Sequence, residues 1–302
     1  MQTAFNVRLL QWGKENAIVI YKGMLDAIFK IAVRVVETEA LFQVANKGTL
    51  SLTTPARPLS VKALLGDAKD FVWNEKLYPW IANLEHKALF MFTASFLLRF
   101  VIFHELGHLL HRHGERSDSD NLMNVDEMSS NSEFGSLNSQ ARELVADMFA
   151  FQELIGFTKE HLISQANNEI GTFLTSELIP NDFELVVFCL QMAHVYFFFM
   201  DSEKWRTIAP TEWSHPPHPF RLHTIYTAFL SEGFSIIKAE YRNDLLGRAI
   251  LLGQKTVQSI IGTPIGLDWS LEMGESKYKE HFDTLHALMP RWTDTERTDW
   301  QC

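Results

Sequence analysis

Residues 88–113 read ALFMFTASFLLRFVIFHELGHLLHRH, and the fold turns on how they are interpreted. The run is apolar, free of proline and far longer than a typical strand of about five or six residues, so it predicts helix. Between Ile81 and His113 the pattern fits one long helix or two stacked ones, with Gly114 as the stop signal. Near its end, His104 and His108 stand four residues apart. On a helix that spacing places both imidazoles on one face, one turn from each other.

Working outward toward the C-terminus, residues 114–137 are polar and rich in Ser, Asn and Asp, and are expected to form a mobile surface loop. Asn138 or Ser139 can cap the next helix, expected to end at Gly156. Further helices are expected at Lys159 to Glu177, Phe183 to Asp201, Pro219 to Ser231 and between Tyr241 and Ile261. Pro210 to Pro219 forms a proline-rich connection. Toward the N-terminus, Val7 to Gln11 and Ala17 to Tyr21 flank a short polar stretch and predict a β-hairpin. A helix from Met24 to roughly Asn46 and a short strand at Leu50 to Thr53 follow. The expectation is a mainly α (α+β) chain, a single domain over 1–302 whose first 60 residues carry a hairpin, a helix and a small antiparallel β-sheet.

Composition narrows the function classes. With 302 residues and 46% hydrophobic content the chain can bury a full core, and most of its 23 Phe are expected there. A formal net charge of −10 repels phosphate backbones, so nucleic acid is not an expected partner. Two cysteines, Cys189 and Cys302, make no disulfide framework, and residues 1–8 lack a basic-then-apolar leader pattern. A reducing, cytoplasmic setting is therefore expected. Two apolar stretches, Ala88 to Phe103 and Leu185 to Met200, fall short of the roughly 20 residues of a membrane-spanning helix and read as buried core helices.

The residue types in His104-Glu105-Leu106-Gly107-His108 suit metal chemistry. Two imidazoles on one helical face can grip a tetrahedral ion, and Glu105 then points beside it, where a carboxylate can take a proton from bound water. This is the His-Glu-x-x-His pattern of zinc peptidases. A catalytic zinc takes three protein ligands and leaves a position for water. Glu143, on the helix beyond the polar stretch, is the candidate third ligand, against the alternative of a solvated helix carboxylate. Asp147, four residues on, can orient a ligand histidine by accepting its outer N–H. His111 continues the histidine face but lies a turn too far along to ligate. His113 reads as a helix C-terminal residue favoured by the dipole, and His194 as a hydrogen-bonded core residue. Arg99 is expected to pair with a core carboxylate.

The combination of His104-Glu105-x-x-His108 with Glu143-x-x-x-Asp147 resembles the gluzincin peptidases, in particular the HtpX and CAAX-prenyl-protease type. The resemblance implies a zincin-like helical fold, Zn2+ held by His104, His108 and Glu143, Glu105 as general base and Asp147 as support. Downstream, Ser214-His215-Pro216-Pro217-His218-Pro219-Phe220-Arg221 resembles that family's His-Pro segment. It implies that His215 and Arg221 approach the site and steady the tetrahedral intermediate or organise the cleft. The matched segments span His104 to Arg221 and leave both ends of the chain uncovered. A looser resemblance is to the Lit-type phage-exclusion peptidases, which cleave translation elongation factor Tu. The implied partner is a protein or peptide substrate, with no membrane association expected. A non-catalytic zinc-binding regulator and a metal-free helical scaffold compete with this reading.

Overall fold

The computed structural model describes residues 7–12, 15–39, 41, 56–66, 71–113, 133–201, 204–213, 215–230, 236–263, 269 and 276–293. The architecture is mainly α, as expected. Strands β1 (Val7–Trp12) and β2 (Glu15–Ile20) pair antiparallel, with Val7 opposite Ile20 and Trp12 opposite Glu15. The strand expected at Leu50 to Thr53 lies outside the described residues, as does the stretch 114–132.

The helices are α1 (Lys22–Glu37), the short α2 (Val61–Leu65), α3 (Leu84–Leu110), α4 (Glu133–Gln165), α5 (Glu169–Phe173), α6 (Asp182–Met200), α7 (His218–Leu230), α8 (Ala239–Ile261) and α9 (Ser276–Trp292). Helix α1 ends at Glu37, short of the expected Asn46, and Thr38 closes it by donating its hydroxyl to the Arg34 carbonyl at 2.7 Å. Between Ile81 and His113 there is one long helix, Leu84–Leu110, rather than two, preceded by a 3-10 turn at Pro79–Ala82. Asn83 caps α3 by accepting from the His86 N–H at 3.0 Å, with Glu85 in the first turn. Its apolar residues wrap the whole circumference because it packs against α1, α4 and α6 at once.

The largest departure is α4. It starts at Glu133, before the expected caps, because Asn138 serves another purpose: inside the helix, its side-chain oxygen accepts from the Trp292 indole N–H at 3.1 Å. It also runs through Gly156 to Gln165. A glycine there costs about 1 kcal/mol relative to alanine, and buried Leu154, Ile155 and Leu162 on either side hold the helix together across it. The expected helix from Lys159 to Glu177 is thus the end of α4, then α5, then a π-turn at Leu174–Leu178. Helix α9 has no counterpart among the expected helices.

Both α3 and α6 are long and apolar enough to cross a membrane by length and composition, α3 exceeding the expected limit with 27 residues. Here they serve as core, 56% of the apolar window of α3 and 78% of that of α6 being buried inside the protein. The main hydrophobic cluster joins α1, α3, α4, α6, α7 and α8. A second cluster of Ala141, Leu144, Val145, Trp205, Trp213, Phe220, Tyr278, Leu285 and Trp292 joins the front of α4 to α7 and α9. Glu143 and Asp147 lie on α4 where these two clusters meet.

Candidate metal centre

Helix α3 carries His104 and His108, α4 carries Glu143 and Asp147, and α7 carries Arg221. Gly107 makes their convergence possible. A Cβ at position 107 would stand 3.1 Å from the Ala146 Cα and the Phe149 ring and 3.2 Å from the Ala146 carbonyl oxygen. Two of these three atoms are backbone, so a Cβ there would require α3 and α4 to give by a few tenths of an ångström. Gly107→Ala is therefore expected to destabilise the fold, because overpacking typically costs about 1–3 kcal/mol and exceeds the helix-propensity gain of about 1 kcal/mol. Urea unfolding of the variant measures it, and a rise in stability would show that the contact yields freely.

Three ligand-type side chains meet at this contact. The His104 and His108 Nε2 atoms are 3.1 Å apart. Glu143 Oε2 lies 3.3 Å from the first and Oε1 3.2 Å from the second. Ligand atoms about 2.0–2.1 Å from a tetrahedral zinc stand about 3.3 Å from each other, so the spacings of this His-His-Glu group match the edges of such a site. The donor set suits zinc, and His104 and Glu143 are only 9% and 8% exposed.

Asp147, fully buried, accepts from His104 Nδ1 at 2.9 Å, the role expected of it. That bond turns His104 so that Nε2 faces His108 and Glu143. Arg221 grips the same carboxylate with a two-pronged fork, Nε to Oδ2 at 2.6 Å and Nη2 to Oδ1 at 2.7 Å. Its Nη2 also lies 3.8 Å from Glu143 Oε2. The chain thus orders a row of charge from Arg221 through Asp147 to His104.

The protonation equilibria follow from this row. Burial alone would lower the His104 pKa, but Asp147 and Glu143 outweigh it and lift it to about 10. Burial alone would raise the two carboxyls; instead His108 and His104 hold Glu143 well below the usual range, and Arg221 with His104 lowers Asp147. Arg221 is raised, with Asp147 outweighing its desolvation. A cation at the triad would take the place that the His104 proton occupies between imidazole and carboxylate.

Glu105 is half-buried on α3, one residue beyond His104. His215 is half-buried just ahead of α7 and is not among the ligand atoms grouped within 4.8 Å of one another. Arg221 reaches the cluster, but its Nε and Nη2 are held by Asp147 rather than turned toward open space. His218 opens α7 and faces Asp201, with Nδ1 and Oδ1 3.8 Å apart. His194 is a core residue as expected, its Nδ1 2.9 Å from the Tyr226 hydroxyl and its pKa pushed down to about 3 by burial. Arg99 does not pair with a core carboxylate; its guanidinium lies 3.8 Å from the centroid of the Phe157 ring. With no carboxylate in ion-pair range among the described residues, the aromatic face takes that place.

Two residues near the site stand apart from expectation, Tyr196 because it was given no role and His113 because its ring is engaged by His108 and Trp292 rather than standing as a dipole-favoured helix end. Tyr196 of α6 is buried against Phe100, and burial raises its phenol to about 12, with the charges of Arg221, Asp147, Glu105 and Glu143 all felt there. Its position in a continuous apolar run gave no sign of this. His113 is the other: its Nδ1 is 2.8 Å from His108 Nδ1, and its Nε2 is 3.0 Å from the Trp292 carbonyl oxygen. His111 is buried and stacks on His113, away from the triad. No protein-family model, curated protein or solved structure matches this chain.

Proposed function

We propose that the chain is a zinc-dependent endopeptidase that hydrolyses peptide bonds with Glu105 as general base. The observation that carries this reading is the convergence of His104, His108 and Glu143 at tetrahedral spacing, with Glu105 one residue beyond His104 on the same helix and outside that group. His104, His108 and Glu143 would hold the ion, and zinc so bound supplies a Lewis acid and a water acidified to a pKa of about 7. Glu105 takes the proton of the attacking water and passes it to the departing amine. Asp147 fixes the His104 ring, and Arg221 keeps Asp147 ionised. His215, on the segment leading into α7, is the candidate donor to the developing oxyanion. Protein or peptide substrates in a reducing, cytoplasmic setting fit the chain's composition.

A zinc-holding regulator on the same scaffold is the second reading, and the burial of two of the three ligand-type residues, His104 and Glu143, favours it. The two are separated by mapping new protein N-termini in cells that carry the wild type or Glu105→Gln. Cleavages that vanish in the variant support the peptidase, and identical maps overturn it. Metal content bears on both readings: about one zinc per purified chain is expected, falling to trace levels in Glu143→Ala. Zinc should also stabilise the fold by about 4 kcal/mol when free metal exceeds Kd a thousandfold. A thermal melt with and without chelator checks this, and coincident melts would remove the metal from the account.

A further inference from the structure

Helix α3 does not simply stop after His108. Its C-terminal turn is a Schellman closure: the Arg112 N–H donates to the Leu109 carbonyl and the His113 N–H to the His108 carbonyl, both at 3.0 Å. The closure puts Arg112 at φ 53°, the left-handed region where glycine is the usual occupant. A side chain held there marks a turn fixed by its surroundings. Its effect is to bring the His113 ring back against the outer nitrogen of His108.

The hydrogen-bond roles along this line are forced from its far end. The Trp292 carbonyl oxygen can only accept, so His113 Nε2 must carry the hydrogen. With Nε2 so engaged, His113 Nδ1 is placed to accept from His108 Nδ1–H, 2.8 Å away. His108 Nε2 is left with its lone pair directed at His104 and Glu143. His113 is buried, held between the Trp292 carbonyl and the His108 ring.

The far end is itself anchored. The Trp292 indole donates to Asn138 on α4, and the Arg142 guanidinium sits 5.1 Å from the Trp292 ring centroid while donating to the His113 carbonyl at 3.4 Å. Asn138 and Arg142 belong to the helix that carries Glu143. The carbonyl that sets the relay and the carboxylate that completes the triad are therefore mounted on one frame.

We infer that His113 is a positioning residue for the metal centre, and that it and the Trp292 carbonyl at the end of α9 lock His108 in the tautomer that presents Nε2 as a ligand. The inference rests on the reading of the triad as a metal site. It makes the C-terminal helix, far from the His-Glu-x-x-His segment in sequence, part of the apparatus that sets metal affinity.

The test is zinc affinity, measured by competition with a chromophoric chelator on the full chain. His113→Phe keeps an aromatic ring but removes the acceptor, and should weaken zinc binding by about 10–100-fold, the usual effect of losing such a partner. His113→Asn offers an amide oxygen near the place of Nδ1 and should recover most of the loss. A folded His113→Phe that binds as tightly as wild type overturns the inference. Should that variant not fold, nitrogen-15 spectra of the histidine rings in the metal-free wild type decide: hydrogens on His113 Nε2 and His108 Nδ1 support it, and a hydrogen on His113 Nδ1 overturns it. Wild type that takes up no zinc would remove the proposed function, while the same spectra still test the relay.

Discussion

Glu105→Gln is expected to lose hydrolysis by about 10²–10⁴-fold, the usual range for a positioned general base, while binding zinc as the wild type does. The separation follows from geometry. The metal-type contacts are made by His104, His108 and Glu143, and Glu105 makes none of them. Glutamine has nearly the same shape and keeps the local packing, yet it cannot accept a proton at neutral pH. Turnover of a substrate found by N-terminal mapping, together with zinc content, gives both readings from one preparation. Undiminished turnover would remove Glu105 from the mechanism, and lost zinc would place it in the ligand set instead.

The second large effect is on stability. Arg221→Met is expected to destabilise the fold by about 3–5 kcal/mol, the cost of leaving a buried carboxylate without its partner. Asp147 has no exposed surface and, among the described residues, would keep only the His104 bond. Adding Asp147→Asn to that variant should restore part of the loss, since the carboxylate left without its partner is then gone. Arg221→Lys should not rescue it, because an ammonium group cannot reproduce the two-pronged contact. The dependence on acid carries a sign. In the wild type the Asp147 pKa is depressed, so its contribution is full above the unfolded value of about 3.9. That contribution disappears as pH falls through the lower folded value. Without Arg221, burial pushes the carboxyl the other way, and the acid-side loss of stability should shrink. Urea titrations at several pH values for the wild type and Arg221→Met measure both. Equal stabilities would mean that Asp147 finds other donors.

The core of the site was readable in sequence because its signal is local: His104 and His108 share a helical face, as do Glu143 and Asp147, and each pair needs only a four-residue spacing. The helices α3, α6, α7 and α8 were readable from long periodic or apolar runs. What could not be read was whatever depends on distant partners. Asn138 looks like a cap until Trp292 arrives to bond its side chain. His113 looks like a helix terminus until Arg112 turns left-handed and the carbonyl of Trp292 meets its ring. Helix α9 was legible in principle, with Tyr278, Phe282, Leu285, Met289 and Trp292 at intervals of three and four. The charged residues among them and Pro290 in the last turn hid the stripe. Arg99 defeats the rule that a cation in an apolar run seeks a carboxylate, because the ring of Phe157 satisfies it instead.

The all-round apolarity of α3 also governs the chain before it is complete. Leu84–Leu110 leaves the ribosome ahead of both α4 and α6, two of the helices that cover it, and the polar tract 114–132 comes between. At about 5–20 residues per second, synthesis from Leu110 to Gln165 takes roughly 3–11 s. For that interval the shelter among the described residues comes from the segments before it, chiefly α1 and the hairpin, and an oily rod with a single arginine near its middle stands open to chaperones, to membranes and to its own nascent neighbours.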